Sequence, residues 1–193
     1  MQHVLTPLEP PYPEEIATLF KSYPQAPDGY ILKLFRVFAN SVRFATNKGV
    51  ANLLDEGSPL ALREREIVIL RVTANTECEY EWGIHVAIFA RAAQLTDAQI
   101  KATFTGDLDL WDKREATLIA CVDALCNAAR ISGELLTRFQ RFWTKEQQLE
   151  ILALCGHYHL VSYVANTTDL PLEHMAATFP SGLTPSAVTS EKS

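Results

Sequence analysis

From residue 14 to about residue 175, apolar side chains recur every three or four positions, the period of helices with one buried face. Pro13-Glu14-Glu15 opens a short helix that ends near Ser22, ahead of Pro24 and Pro27. Asp28 is placed to cap a long helix running to about Asn47 and closed by Gly49. Ser58-Pro59 starts the next, with Arg63 to Ala74 as its body. The β-branched run from Ile67 to Thr73 would suit a strand, but the upstream cap and the charged turn Arg63-Glu64-Arg65-Glu66 favour helix. A helix from Cys78 to about Ala93 follows. Thr96-Asp-Ala-Gln99 and Thr144-Lys-Glu-Gln147 are capping boxes, each opening a helix, and the second helix runs to Asn166. Asp112 to Arg130 is long and amphipathic, and Ser132 caps a short successor. No pair of strand-like runs flanks a hairpin turn. The pattern predicts an all-α, single-domain bundle of about eight helices over residues 14–175. Residues 1–13, rich in proline, and 176–193, with no apolar period, read as tails.

Composition narrows the function classes. The 193 residues carry a formal net charge of −6, with 48% hydrophobic and 21% charged side chains, ordinary values for a soluble globular chain. Such a chain buries about 70% of the surface its unfolded form exposes, enough for a continuous core. An acidic balance opposes nucleic-acid binding, which rests on clustered Lys and Arg. The basic-aromatic stretch Lys33 to Arg43 reads more simply as a core stripe with a solvated edge. No run approaches the eighteen apolar residues of a spanning helix, and the start lacks a signal-peptide pattern. Cys78, Cys121, Cys126 and Cys155 have neither disulfide-framework nor zinc-knuckle spacing, so free thiols in a reducing cytoplasm are expected.

The candidate chemistry lies between Glu66 and His85. Glu66 shares its helical face with Leu62, Ile69, Leu70 and Thr73, where an unpaired buried carboxylate would cost several kcal/mol. The next helix offers a partner. Cys78, Glu81 and His85 are spaced i, i+3, i+7 and share one side of it. Glu81 and His85 are one turn apart, close enough for a carboxylate to raise the imidazole pKa and orient the ring. Cys78 starts its helix, where the dipole should favour thiolate. Yet it stands about 10 Å along the axis from His85, too far for direct deprotonation. Tyr80 and Trp82 are expected as pocket walls, and Arg71 as a holder of a substrate carboxylate. His157 and His159, two residues apart, point about 200° from one another. They read as packed or pocket-lining residues rather than metal ligands, and no metal or other cofactor is expected.

Leu62-Arg-Glu-Arg-Glu66-Ile-Val-Ile-Leu-Arg, Cys78-Glu-Tyr-Glu81-Trp-Gly-Ile-His85 and Ala90-Arg-Ala-Ala-Gln-Leu-Thr resemble the carboxymuconolactone decarboxylase family, which includes alkylhydroperoxidase-D-like proteins. Glu150 to Asn166 is similar to that family's C-terminal helix. The resemblance implies an all-helical subunit assembling into trimers or hexamers, with a pocket near a subunit interface. Its peroxidase branch uses a Glu, a Cys-x-x-Cys pair and a His. Those positions correspond here to Glu66, Cys78, Glu81 and His85. Glu81 replaces the thiol nearest the His, which removes a dithiol cycle through this motif. The decarboxylase branch needs no thiol pair. The leading expectation is therefore a cofactor-free acid/base enzyme acting on a small lactone or keto acid, with His85 as acid/base, Glu66 as its cross-helix partner and Glu81 as its orienter. A single-cysteine hydroperoxide reductase built on Cys78 and a non-catalytic ligand-binding or assembly protein are the alternatives.

Overall fold

The computed structural model describes residues 6–46 and 57–183, leaving the side chains of Arg43 and Phe44 aside. The described residues form nine helices and no strand: α1 (Glu14–Phe20), α2 (Lys33–Phe38), α3 (Val42–Thr46), α4 (Leu62–Asn75), α5 (Glu79–Phe89), α6 (Asp97–Thr105), α7 (Lys113–Ala128), α8 (Gly133–Phe142) and α9 (Lys145–Thr167). The bundle is all-α, as the hydrophobic period implied.

α4 is its axis. Every residue from Glu66 to Ala74 is buried, and the helix packs on α5, α6, α7 and α9 at once. This explains its strand-like composition: a helix enclosed on all sides is apolar all round and loses its period. Both capping boxes form, at Thr96–Gln99 and Thr144–Gln147, and Asp112 caps α7 by accepting from the N–H groups of Arg114 and Glu115.

Several expected boundaries move. The long helix from Asp28 starts late, at Lys33, and becomes two short ones, because residues 39–41 turn between α2 and α3. Gly49, its expected stop, lies outside the described residues. α4 begins at Leu62, capped by Ala61 rather than Ser58, whose hydroxyl instead donates to Glu150. Neither expected tail is loose where it is described. Leu8 N–H donates to the Arg36 carbonyl, and Glu9 pairs with Arg36 at 2.6 Å. Residues 168–183 form a strap along α5, in which Ala177 N–H donates to the Gly83 carbonyl and Phe179 N–H to the Glu79 carboxylate. A Cβ on Gly83 would fall 2.1 Å from the Ala177 oxygen, so only glycine admits the strap this close. Glu173 anchors it. Its buried carboxylate accepts from the Tyr30 and Tyr80 hydroxyls and from the Lys33 backbone N–H and ammonium, at 2.7–2.9 Å.

Candidate active site

The turn between α4 and α5 aims the site. Cys78 N–H donates to the Thr73 carbonyl and Glu77 N–H to that of Ala74, with Glu77 left-handed at φ 52°. This paired closure ends α4 and folds α5 back against it. Glu66 of α4 and His85 of α5 then meet: the Glu66 carboxylate accepts from Nδ1–H of His85 at 2.8 Å. Both side chains are almost wholly buried, 1% and 4% exposed. With the hydrogen held on Nδ1, Nε2 of the neutral ring is an acceptor, and the Tyr158 hydroxyl of α9 donates to it at 3.0 Å. Glu81 stands 3.7 Å from the same Nε2. Glu66, not Glu81, therefore orients the ring, because the Glu81 carboxylate lies beyond hydrogen-bond reach and beside the opposite nitrogen.

Burial shapes the electrostatics. Desolvation pushes the His85 pKa down, but Glu66, by its charge and its hydrogen bond, and Glu81 outweigh it, so the imidazole titrates above its ordinary value. Glu81 is pushed up by burial first; His85 opposes this and Glu66 adds to it. Burial, Glu81 and Glu66 raise Tyr158 well above the usual phenol value against the pull of Arg65, so its hydroxyl stays protonated. The group is a buried donor–acceptor chain, Glu66–His85–Tyr158, with a second carboxyl beside it.

His85, Glu81 and Tyr158 open onto a cavity of about 560 Å³ between α2, α5, α9 and the end of α1. Leu32, Leu34, Phe35, Phe38, Ile84, Ile88, Phe89 and Val161 give it apolar walls. A concave, mostly apolar space with a few convergent polar groups is the usual form of a small-molecule site.

The other expected residues fall elsewhere. The Arg71 guanidinium is 1% exposed and is absent from the cavity wall; it pairs with Asp123 at 2.6 Å and donates to the carbonyls of Thr103 and Phe104. It ties α4 to α6 and α7 and has no donor directed at a substrate. Tyr80 gives its hydroxyl to Glu173, while Trp82 donates to Thr103 and packs on Phe104 and Phe179. Both hold helices together rather than line the cavity. Cys78 does cap the α5 N-terminus, yet it is fully buried, and desolvation pushes its thiol up to about 11 despite help from the Glu81 backbone and Ser162. The expected thiolate is therefore not favoured, since burial outweighs the dipole. His157 lines the cavity, and His159 donates from Nδ1 to the Cys155 carbonyl on its own helix. Gly156, next to His157, is exposed with open space around it, so it marks no close helix approach.

Tyr158 was not found by sequence reasoning. It sits between two histidines that drew attention to metal chemistry. The available signal was its i, i+3 spacing with Val161 on the inner face of a capped helix.

Residues 44–123 match the model of the carboxymuconolactone decarboxylase family. A search among curated proteins finds no match. Among solved structures, the fold is similar to that of an uncharacterized peroxidase-related protein from Silicibacter sp. TM1040, with a TM-score of 0.75 and 17% identity over 93% of this chain and 100% of that one. It is also similar to the apo debrominase Bmp8, with a TM-score of 0.71 and 15% identity over 91% of this chain and 95% of that one. A cysteine-to-alanine variant of Bmp8 in complex with 2,3,4-tribromopyrrole matches with the same TM-score and identity, over 91% and 94%. At these identities the likeness is one of fold. Residues 44–123, which carry Glu66 and His85 on two successive helices, are thus similar to the carboxymuconolactone decarboxylase family.

Proposed function

We propose that this protein is a cofactor-free acid/base enzyme acting on a small carbonyl compound, by decarboxylation or by proton transfer next to a carbonyl of a lactone or keto acid. The observation that carries this reading is the buried 2.8 Å contact between Glu66 and Nδ1 of His85 at the edge of the cavity. A carboxylate that holds one ring nitrogen fixes the tautomer and leaves the other to exchange a proton, with the resulting imidazolium stabilised in place. In a decarboxylation, the C–C bond pair would remain on carbon as carbon dioxide leaves, and His85 would return a proton to that carbon. In an isomerisation, Nε2 would take the proton and give it back. Tyr158, protonated throughout, would donate a hydrogen bond to the developing enolate oxygen.

A panel of lactones and β-keto acids, followed by proton or carbon dioxide release, tests this. His85→Ala should cost about 100-fold or more in rate, while its far-ultraviolet circular dichroism matches the parent. Cys78→Ser should stay active. An active His85→Ala beside an inactive Cys78→Ser, with dimedone capture of Cys78 after peroxide, would move the chemistry to the thiol. Tight binding of a metabolite with no turnover would favour a non-catalytic role.

A further inference from the structure

The cavity wall is more selective than the acid/base group it serves. The carbon skeleton it fits can be read from three features. First, α2 contributes Phe35 and Phe38 and α5 contributes Phe89, so aromatic faces stand on two helices bounding one space. The His85 ring lies 5.2 Å from that of Phe89 at 35°, which extends the aromatic surface up to the reacting nitrogen. Second, fixed positive charge is scarce. Among the described residues Lys21, exposed at the end of α1, is the one Lys or Arg on the wall. Arg65, which is not on the wall, acts on Tyr158 by its charge, against the opposite effect of Glu81 and Glu66. Third, His157 brings no second cation: burial pushes its pKa down, and its buried Nδ1 has no hydrogen-bond partner among the described residues. A dianion would enter a space that the Glu81 carboxyl already edges, with Glu66 behind His85.

We infer that the substrate is a ring-sized apolar molecule bearing at most one negative charge, its polar head at His85 and Tyr158 and its ring between the phenylalanines of α2 and α5. This rests on the proposed function for what the head group undergoes, but the cavity's preference for a skeleton stands on its own walls. A charge left in an apolar site loses hydration without repayment, whereas an aromatic ring gains contact on both faces.

Calorimetric titration of the full chain with 1-naphthoate and with adipate tests this. Saturable naphthoate binding about tenfold or more tighter than adipate is expected. Ile88→Trp should weaken naphthoate about tenfold by filling the space; Ile88 is 46% exposed, so this change leaves the core intact. Adipate binding as tightly as naphthoate, naphthoate failing to saturate, or Ile88→Trp leaving its affinity unchanged would each overturn the inference. None of these readouts needs turnover, so an active His85→Ala would defeat the acid/base reading while leaving this one standing, and the reverse holds equally.

Discussion

At the scale of single residues, Glu81 is the side chain whose cost should be easiest to see. Its carboxyl is buried and its pKa raised, so the folded protein binds that proton more tightly than the unfolded chain does. Stability from such a group is complete below the ordinary carboxylate pKa and is lost as pH climbs through the raised value. His85 has the same sign, with its loss beginning near pH 6.5. Glu66 and Arg65 of α4 and Tyr158 of α9 are the charged and titratable groups beside this pair. Glu81→Gln fixes the neutral form. Its melting temperature, measured against the parent from pH 4 to 8, should gain on it as pH rises; a constant difference would show that Glu81 ionises freely. The sequence made Glu66 and His85 legible because a lone carboxylate on a greasy stripe needs an answer. It left Arg71 misplaced because a long side chain's direction depends on neighbours, here Asp123 and the end of α6, that no local pattern names.

At the scale of elements, capped starts were legible and uncapped ends were not. Thr96, Asp112 and Thr144 mark their helices through side-chain bonds that can be read from residue type. α4 ends in left-handed Glu77 and α9 is followed by left-handed Asp169, while Gln94 takes the same conformation after α5; glycine, the usual mark of such a turn, is missing from all three. The strap was invisible for a related reason. Residues 168–183 have no period, and besides backbone bonds to Gly83 and Glu79 what anchors them is one buried carboxylate. Glu173 keeps a lowered pKa: burial opposes its charge, but the bonds from Lys33, Tyr80 and Tyr30 prevail. Its contribution is therefore present above the ordinary Glu value near 4.3 and lost as pH falls through the lowered one. Glu173→Ala should cost about 3–5 kcal/mol in urea denaturation at pH 7, and less in acid. A loss under about 1 kcal/mol would mean that water replaces the four bonds.

At the scale of the whole molecule, none of the described helices is long and apolar enough to cross a membrane. The family resemblance implies assembly, and α9 presents Leu149, Leu152 and Tyr163 outward at 69%, 41% and 62% exposure. Sedimentation is expected to give a trimer or hexamer, and Leu149→Glu with Tyr163→Glu to give smaller species. A monomer in the parent would make that face an ordinary surface. Net charge and apolar content limited the partners but not the assembly, since a subunit's outer face carries no period of its own.

The closure after α4 has a further consequence, for length rather than for residue type. Three backbone N–H groups, those of Thr76, Glu77 and Cys78, are spent on α4's last carbonyls, which leaves no slack between the two helices. Adding or removing one residue within either helix between Glu66 and His85 would swing the imidazole about 100° around its axis and away from the carboxylate. In related chains that keep this pair, the count of residues across the stretch should not drift.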